Sequence, residues 1–259
     1  MTDSAPIRPA ATILLVRDHP TLEVLMVKRH HQIDFASGAL VFPGGKIEAG
    51  DHDPAWAEFT VGLEDAAPEA RAFRIAALRE AFEESALLLA KRPDGEPWSA
   101  NAEAVQARHA VAKGEVAFLD LVRQLDVRLD LQSLAAFARW IAPPIAPKRF
   151  DTHFFIAVAP RDQVAVCDGG ETVDAEWIAP KTALSMAAAG ERTIIFPTRM
   201  NLQLLAESAD AASAIAAAEA RVLVTVLPKL EQRPHGPVLV LPPDAGYGRV
   251  EEPLSSVGI

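Results

Sequence analysis

One cysteine and one tyrosine occur in 259 residues, and aromatic side chains make up only 6% of the chain. A single Cys167 excludes an intrachain disulfide and suits a reducing compartment. No metal-type spacing or activating neighbour surrounds it, so it reads as a small hydrophobe beside a strand. Positive charge is also scarce: 25 Lys and Arg against 35 Asp and Glu leave a net charge of −10. That balance disfavours a general nucleic-acid binder, which needs a basic face. An anionic small molecule needs only a local group of cations, and Lys28, Arg29, Lys148 and Arg149 are candidates. Long hydrophobic runs are missing as well. Residues 11–16 are too short for a signal or a span, and residues 209–227 are interrupted by Asp210, Glu219 and Arg221. The opening MTDSAPIRPA has no basic region leading into an apolar core. These absences lead us to expect neither a membrane nor a nucleic-acid partner, and a cytoplasmic location.

With 50% hydrophobic and 23% charged residues, the chain has the make-up of an ordinary globular protein. We expect one domain over 1–259, with insertions at 52–72 and 97–141 and a helical segment at 197–230. Residues 10–16 and 22–28, linked by Arg17-Asp18-His19-Pro20, predict a hairpin. Residues 39–42 predict a brief strand entering a Pro43-Gly44-Gly45 turn. Glycines there let a backbone approach a ligand and offer N–H groups to phosphate oxygens. Asp53-Pro54 predicts a short helix opening the first insertion, expected to cover or shape the cleft or to be a neutral excursion. Residues 102–113 and 116–125 read as helices, and 131–141 as a third helix or an approach to a strand. Residues 149–158 and 172–178 read as strands, 181–189 and 197–206 as helices, 209–226 as one long packing helix, and 238–241 as a final strand. Along 149–158 Asp151 and His153 form a polar face, which either meets solvent or lines the cleft. In the second case Arg149 is the expected phosphate contact, because its planar fork matches phosphate.

The sequence LREAFEESAL at 78–87 places Glu80, Glu83 and Glu84 within about a 100° arc of one helix. Ile75, Leu78, Phe82 and Leu89 are expected opposite them, and Arg79 within reach of Glu83 at i, i+4. Three carboxylates on a rigid element suit a hard divalent cation such as Mg²⁺. A solvated acidic surface is the plain alternative.

The context of those acids decides between the two. Gly45, then Asp51, then Arg79-Glu80-Ala81-Phe82-Glu83-Glu84 and Leu87 resemble the Nudix box, G-x5-E-x7-R-E-U-x-E-E-x-G-U, where U is aliphatic. The chain departs from it in three ways. Asp51 stands where the box has glutamate, and Ala86 stands where it has glycine, so the helix is expected to run on through Leu87, Leu88 and Leu89. In addition, 27 residues separate Asp51 from Arg79 in place of the usual 7. Such a split box is similar to the peroxisomal coenzyme A diphosphatase branch. The likeness continues in Leu25-Met26-Val27-Lys28-Arg29 and in the run from Phe35 to Gly45, in Arg149-Phe150-Asp151-Thr152-His153-Phe154-Phe155 and, more weakly, in Leu239-Val240-Leu241-Pro242-Pro243-Asp244. The sequence closes on Ser-Val-Gly-Ile, so the peroxisomal address of those eukaryotic enzymes is not expected here.

The resemblance implies an α/β sandwich (α+β in the broad sense) with a mixed sheet between helices, plus helical insertions. It implies Mg²⁺ or Mn²⁺ held by Glu80, Glu83 and Glu84, supported by Arg79, Asp51 and Gly45, and hydrolysis of a diphosphate linkage. The expected substrate is a nucleoside diphosphate derivative of the coenzyme A type, contacted by Arg29, Gly44, Gly45, Phe35 and Arg149. His31 would share the entrance with Arg29, and Phe35, Trp56 and Phe150 would wall an apolar slot. Glu83, Glu171 and Asp174 are the candidate general bases. Other readings are an ADP-ribose, nucleotide-sugar or dinucleoside polyphosphate hydrolase, or a silent nucleotide-binding module; a homodimer is allowed for.

Overall fold

An apolar run without alternation, such as residues 10–16, suits a strand covered on both faces. The computed structural model shows that arrangement; it describes residues 5–29, 38–99, 102–167 and 172–257, leaving aside the side chains of Arg29, Glu103, Thr172 and Val173. In chain order the first elements are β1 (Ile7–Asp18), β2 (Leu22–Arg29), β3 (Leu40–Val41), β4 (Gly44–Lys46), β5 (Thr60–Val61) and α1 (Pro68–Ser85). Then come β6 (Ala90–Lys91), α2 (Ala102–Ala112), α3 (Phe118–Gln124), β7 (Arg128–Asp130), β8 (Ala135–Ile141), β9 (Arg149–Val158) and β10 (Thr172–Ile178). The last are α4 (Pro180–Ala188), α5 (Phe196–Leu205), α6 (Ala211–Ala220), β11 (Thr225–Val226), β12 (Lys229–Arg233), β13 (Gly236–Val240) and β14 (Glu251–Pro253).

The main sheet runs β10-β2-β1-β9-β8-β11. It is mixed: β1 lies parallel to β9 and β8 parallel to β11, while the other pairs are antiparallel. One edge of β1 is shared, β2 taking Val16 to Asp18 and β4 taking Ala10 to Thr12. Alternation along β1 divides the core. Ala11, Ile13 and Leu15 pack under α1 with Ile75, Leu78 and Phe82. Leu14 and Val16 pack on the other face with Met200, Leu204 and Ala214 of α5 and α6. This is the sandwich of helices about a mixed sheet that the resemblance implied.

Several local expectations are corrected. Gly44 and Gly45 form no turn but a strand, because Gly44 pairs with Thr12 and Gly45 with Ala11. Residues 131–141 end as strand β8. The long helix expected over 209–226 stops at Ala220, where the Arg221 guanidinium donates to the Phe137 carbonyl and lies over the Phe137 ring. The chain then turns extended into β11.

The first insertion opens with two turns of 3₁₀ helix, Ala49–His52 and Pro54–Ala57, and Asp53 accepts from the Ala55 N–H. It does not cover a cleft. Trp56 is 1% exposed, donates to the Gly50 carbonyl and packs on Phe118, which also meets Phe82. Lengthening the loop from 7 residues to 27 costs only about 1 kcal/mol of closure entropy. Burying one tryptophan offsets more than that, roughly 2–3 kcal/mol.

Helix α1 ends at Ser85, so Leu89 is not on it and the predicted run-on does not occur. Ala86 takes φ 63°, the left-handed position the box assigns to glycine, and its N–H bonds to the Phe82 carbonyl. The exit is stabilised from afar: the buried Gln163 amide accepts from Leu88 N–H and donates to the carbonyls of Leu88 and Trp98. Buried backbone that leaves a helix needs such partners.

Two predictions follow from this architecture. Ala86→Gly should relieve about 1–2 kcal/mol of left-handed strain while losing about 0.8 kcal/mol of methyl burial. The expected outcome is a modestly higher urea midpoint, and a lower one would contradict the account. His153 stacks on Phe73 with centroids 3.8 Å apart. Its burial pushes its pKa down, helped by Arg139 and Arg74 and opposed by Asp151. The unfolded chain therefore takes up this proton first, and stability should fall as pH drops through about 6.5 toward the depressed folded value. Urea midpoints measured across that window should fall less for His153→Phe than for the wild type; parallel curves would exclude the effect.

Candidate active site

Arg79 is the hub of the site. Its side chain is 5% exposed, and it meets Asp51 twice, through Nε at 3.0 Å and Nη2 at 3.1 Å. Nη1 donates to Glu80 at 2.9 Å and to Glu83 at 3.3 Å, and Nη2 also donates to the Lys46 carbonyl. Burial alone would loosen the guanidinium's proton, but the hydrogen bonds to Asp51 and the charges of Glu80, Asp51 and Glu83 outweigh it, raising the pKa. The shorter Asp51 therefore reaches the arginine, helped by the 3₁₀ turn that begins at Ala49, and its Oδ2 accepts from the Glu48 N–H at 2.8 Å.

The glycine strand completes the group. A methyl on Gly45 would collide with the whole Glu80 carboxylate, and one on Gly44 would lie 2.6 Å from the Ala11 carbonyl oxygen and 2.8 Å from Thr12 Cα. Glu84, 4% exposed, accepts from the Gly44 N–H at 3.1 Å. Burial raises the pKa of Glu83, which Arg79 opposes. Among the described residues no three His, Cys, Asp or Glu side chains converge on one point, since Glu83 leans to Arg79 and Glu84 to Gly44. The donor set nonetheless fits a hard divalent cation: three carboxylates within five residues of one helix, with the one on Glu80 pressed against backbone that carries no side chain.

Beside this group lies a cavity of about 830 Å³. Gly44, Gly45 and Glu80 lie on its wall, as do Arg8, Lys46, Glu48, Lys148 and Phe150. Helix α1 lies on the other face of the sheet, and its Glu80 reaches the cavity past the two glycines.

The remaining predicted residues separate. Phe150 is at the cavity, but Arg149 points to the other face of β9, buried, with Nε donating to the Ala142 carbonyl. The polar face of β9 is turned away too: Asp151 is bound by Arg139, and His153 lies under Phe73. The faces that meet the cavity are Phe150, Thr152 and Phe154. Trp56 is a core residue rather than a slot wall, and no residue of 52–72 lines the cavity. Asp174 is exposed on β10 opposite Lys28. Phe35, His31 and Glu171, and the side chain of Arg29, lie outside the described residues. The sequence reading missed Arg8, Lys46 and Glu48, which β1–β4 pairing brings to the cavity. Lys46 and Glu48 sat within the quoted box and were the available signal.

A sheet carrying a two-glycine strand against a helix with Arg-Glu and Glu-Glu pairs defines the class of Nudix hydrolase folds. A Nudix hydrolase from Alicyclobacillus acidocaldarius superposes with a TM-score of 0.72 at 28% identity, covering 82% of this chain and 96% of that one. The acyl-coenzyme A diphosphatases NUDT19 of Xenopus laevis and Homo sapiens are 27% and 28% identical, each over 62% of this chain and 54% of their own length. The chain thus spans about half the length of these curated relatives. The sequence model of the NUDT19 Nudix domain matches residues 57–204, more than half of the chain, and the chain belongs to that family.

The two glycines should respond differently to a methyl group. Gly44→Ala meets backbone and should cost about 1–3 kcal/mol of stability. Gly45→Ala meets the movable end of Glu80, so it should leave the unfolding free energy within about 1 kcal/mol but weaken Mn²⁺ binding at least about tenfold. Calorimetry and urea titration on both variants check this, and equal losses in the two would contradict it.

Proposed function

We propose that the protein is a metal-dependent diphosphatase acting on coenzyme A or an acyl-coenzyme A. The observation that carries the reading is the continuous contact set Asp51–Arg79–Glu80/Glu83 against the Gly44-Gly45 strand, opening onto a cavity with cations on its wall. Glu80, Glu83 and Glu84 would hold Mg²⁺ or Mn²⁺. Bound there, the ion would neutralise the diphosphate and lower the pKa of a water. The chain's own residues supply the rest. Arg79 fixes Glu80 and Glu83 in place, and Arg8, Lys46 and Lys148 replace Arg149 as the cations facing an anionic substrate. Glu48 lines the same cavity as Glu80 and would be the carboxylate that takes a proton from the attacking water. The names of the relatives support coenzyme A thioesters as substrates.

Glu84→Gln keeps the shape and an acceptor for Gly44. It should lower kcat on coenzyme A about a hundredfold or more with Mg²⁺ or Mn²⁺ present, with the urea midpoint little changed. Wild-type protein that leaves coenzyme A and its thioesters intact while cleaving ADP-ribose or a dinucleoside polyphosphate quickly would overturn the substrate assignment.

A further inference from the structure

Strands β12, β13 and β14 form a sheet of their own in that order, and among the described residues no strand pairs with the outer edge of β12. That strand reads Lys229-Leu230-Glu231-Gln232-Arg233. An unpaired strand is a template for another strand, and proteins keep such edges short, charged or covered.

The register with β13 decides which backbone groups β12 presents outward. Arg233 and Gly236 close a two-residue hairpin, and Gln232 stands opposite Pro237, which has no N–H to donate. Backbone bonds alternate along an antiparallel pair, so Lys229, Glu231 and Arg233 direct theirs to β13. Leu230 and Gln232 therefore direct theirs away from it. The Gln232 carbonyl accepts from Arg233 Nη1 at 3.4 Å, whereas the outward groups of Leu230 have no partner among the described residues.

The side chains alternate too. Leu230 shares a face with Leu239, which it meets across the pair. Leu239 is buried there, but Leu230 is 42% exposed. Val222, Leu223 and Leu227, on the approach to the strand, are exposed as well. The apolar surface thus runs out of the core and ends at the sheet edge. On the opposite face Glu231 pairs with Arg233 at 2.8 Å, while Lys229 makes no ion pair among the described residues.

A second β12 fits this edge. In an antiparallel pairing about a two-fold axis at Leu230, each Leu230 exchanges both backbone bonds with its copy and rests its side chain on it. The same register sets Lys229 of each copy opposite Glu231 of the other, and opposite charges at facing positions attract. The edge strand of the main sheet offers no such match: β10 carries Asp174 and Glu176 and no cation, so two copies would set acid against acid.

We propose that two copies of the chain associate through β12, joining their three-stranded sheets into one continuous sheet with Leu230 on the axis. The proposal stands apart from the diphosphatase reading, and its test needs no substrate.

Sedimentation equilibrium over about 1–100 μM protein, in about 0.15 M salt to screen the net charge of −10 on each copy, should show a dimer that grows with concentration. Lys229→Glu and Glu231→Lys each turn two attractions into two repulsions, and each alone should weaken the dimer at least about tenfold. An equimolar mixture of the two variants restores both pairs and should associate within about threefold of the wild type. Leu230→Pro removes an N–H that points away from β13, which an edge strand tolerates, and should also weaken the dimer at least about tenfold. Should that variant fail to fold, the two exposed charge changes carry the test. A wild type that stays monomeric over the whole range overturns the proposal. So does a dimer that either charge variant leaves unchanged, or a loss in both that mixing does not restore.

Discussion

A buried guanidinium tied to three carboxylates is the constraint on which the site depends. Arg79 joins the turn at Asp51, the helix acids Glu80 and Glu83, and the carbonyl of Lys46 at the end of the glycine strand. Removing either member of a buried pair of this kind leaves a charge without compensation, which costs about 3–5 kcal/mol. The fold therefore brings the loop, strand and helix together wherever the chain between them runs. A 20-residue expansion of the box is tolerated because the contact is tertiary and the added chain anchors itself through Trp56.

The sheet separates two tasks. Its α1 face carries the acids and the packing of the inserted helices, with Trp56, Phe82 and Phe118 in one cluster. Its other face, under α5 and the C-terminal strands, carries the cavity. Among the described residues Glu80 is the α1 side chain that reaches the cavity, and it comes through where Gly44 and Gly45 carry no side chains. Glycines in an active-site strand are usually explained by backbone approach to phosphate. In this protein, steric room for an acid arriving from behind is an equally direct reason.

Much of the fold was legible because its signals are local. The apolar runs of β1 and β2, the prolines opening α4 and α5, and the acid spacing on α1 require no knowledge of distant residues. The errors arose where a distant group overrides a local preference. Ala86 takes a glycine's conformation because the buried Gln163 amide and the Phe82 carbonyl satisfy the backbone around it. The alanine-rich stretch ends early because Arg221 finds Phe137 across the sheet. Arg149 is one residue out of register with Phe150, Thr152 and Phe154, which line the cavity, and one step turns a strand side chain to the opposite face.

The order of residues by itself determined the chemistry on offer: three glutamates on one helical arc, an arginine among them and a glycine pair upstream, all set by helix period and chain order. Which of those acids meets the cavity and which cations face it were decided only in three dimensions. Strand pairing joins Arg8, Lys46 and Phe150 from separate parts of the chain, and no periodicity records which face of a two-sided sheet the C-terminal strands will cover.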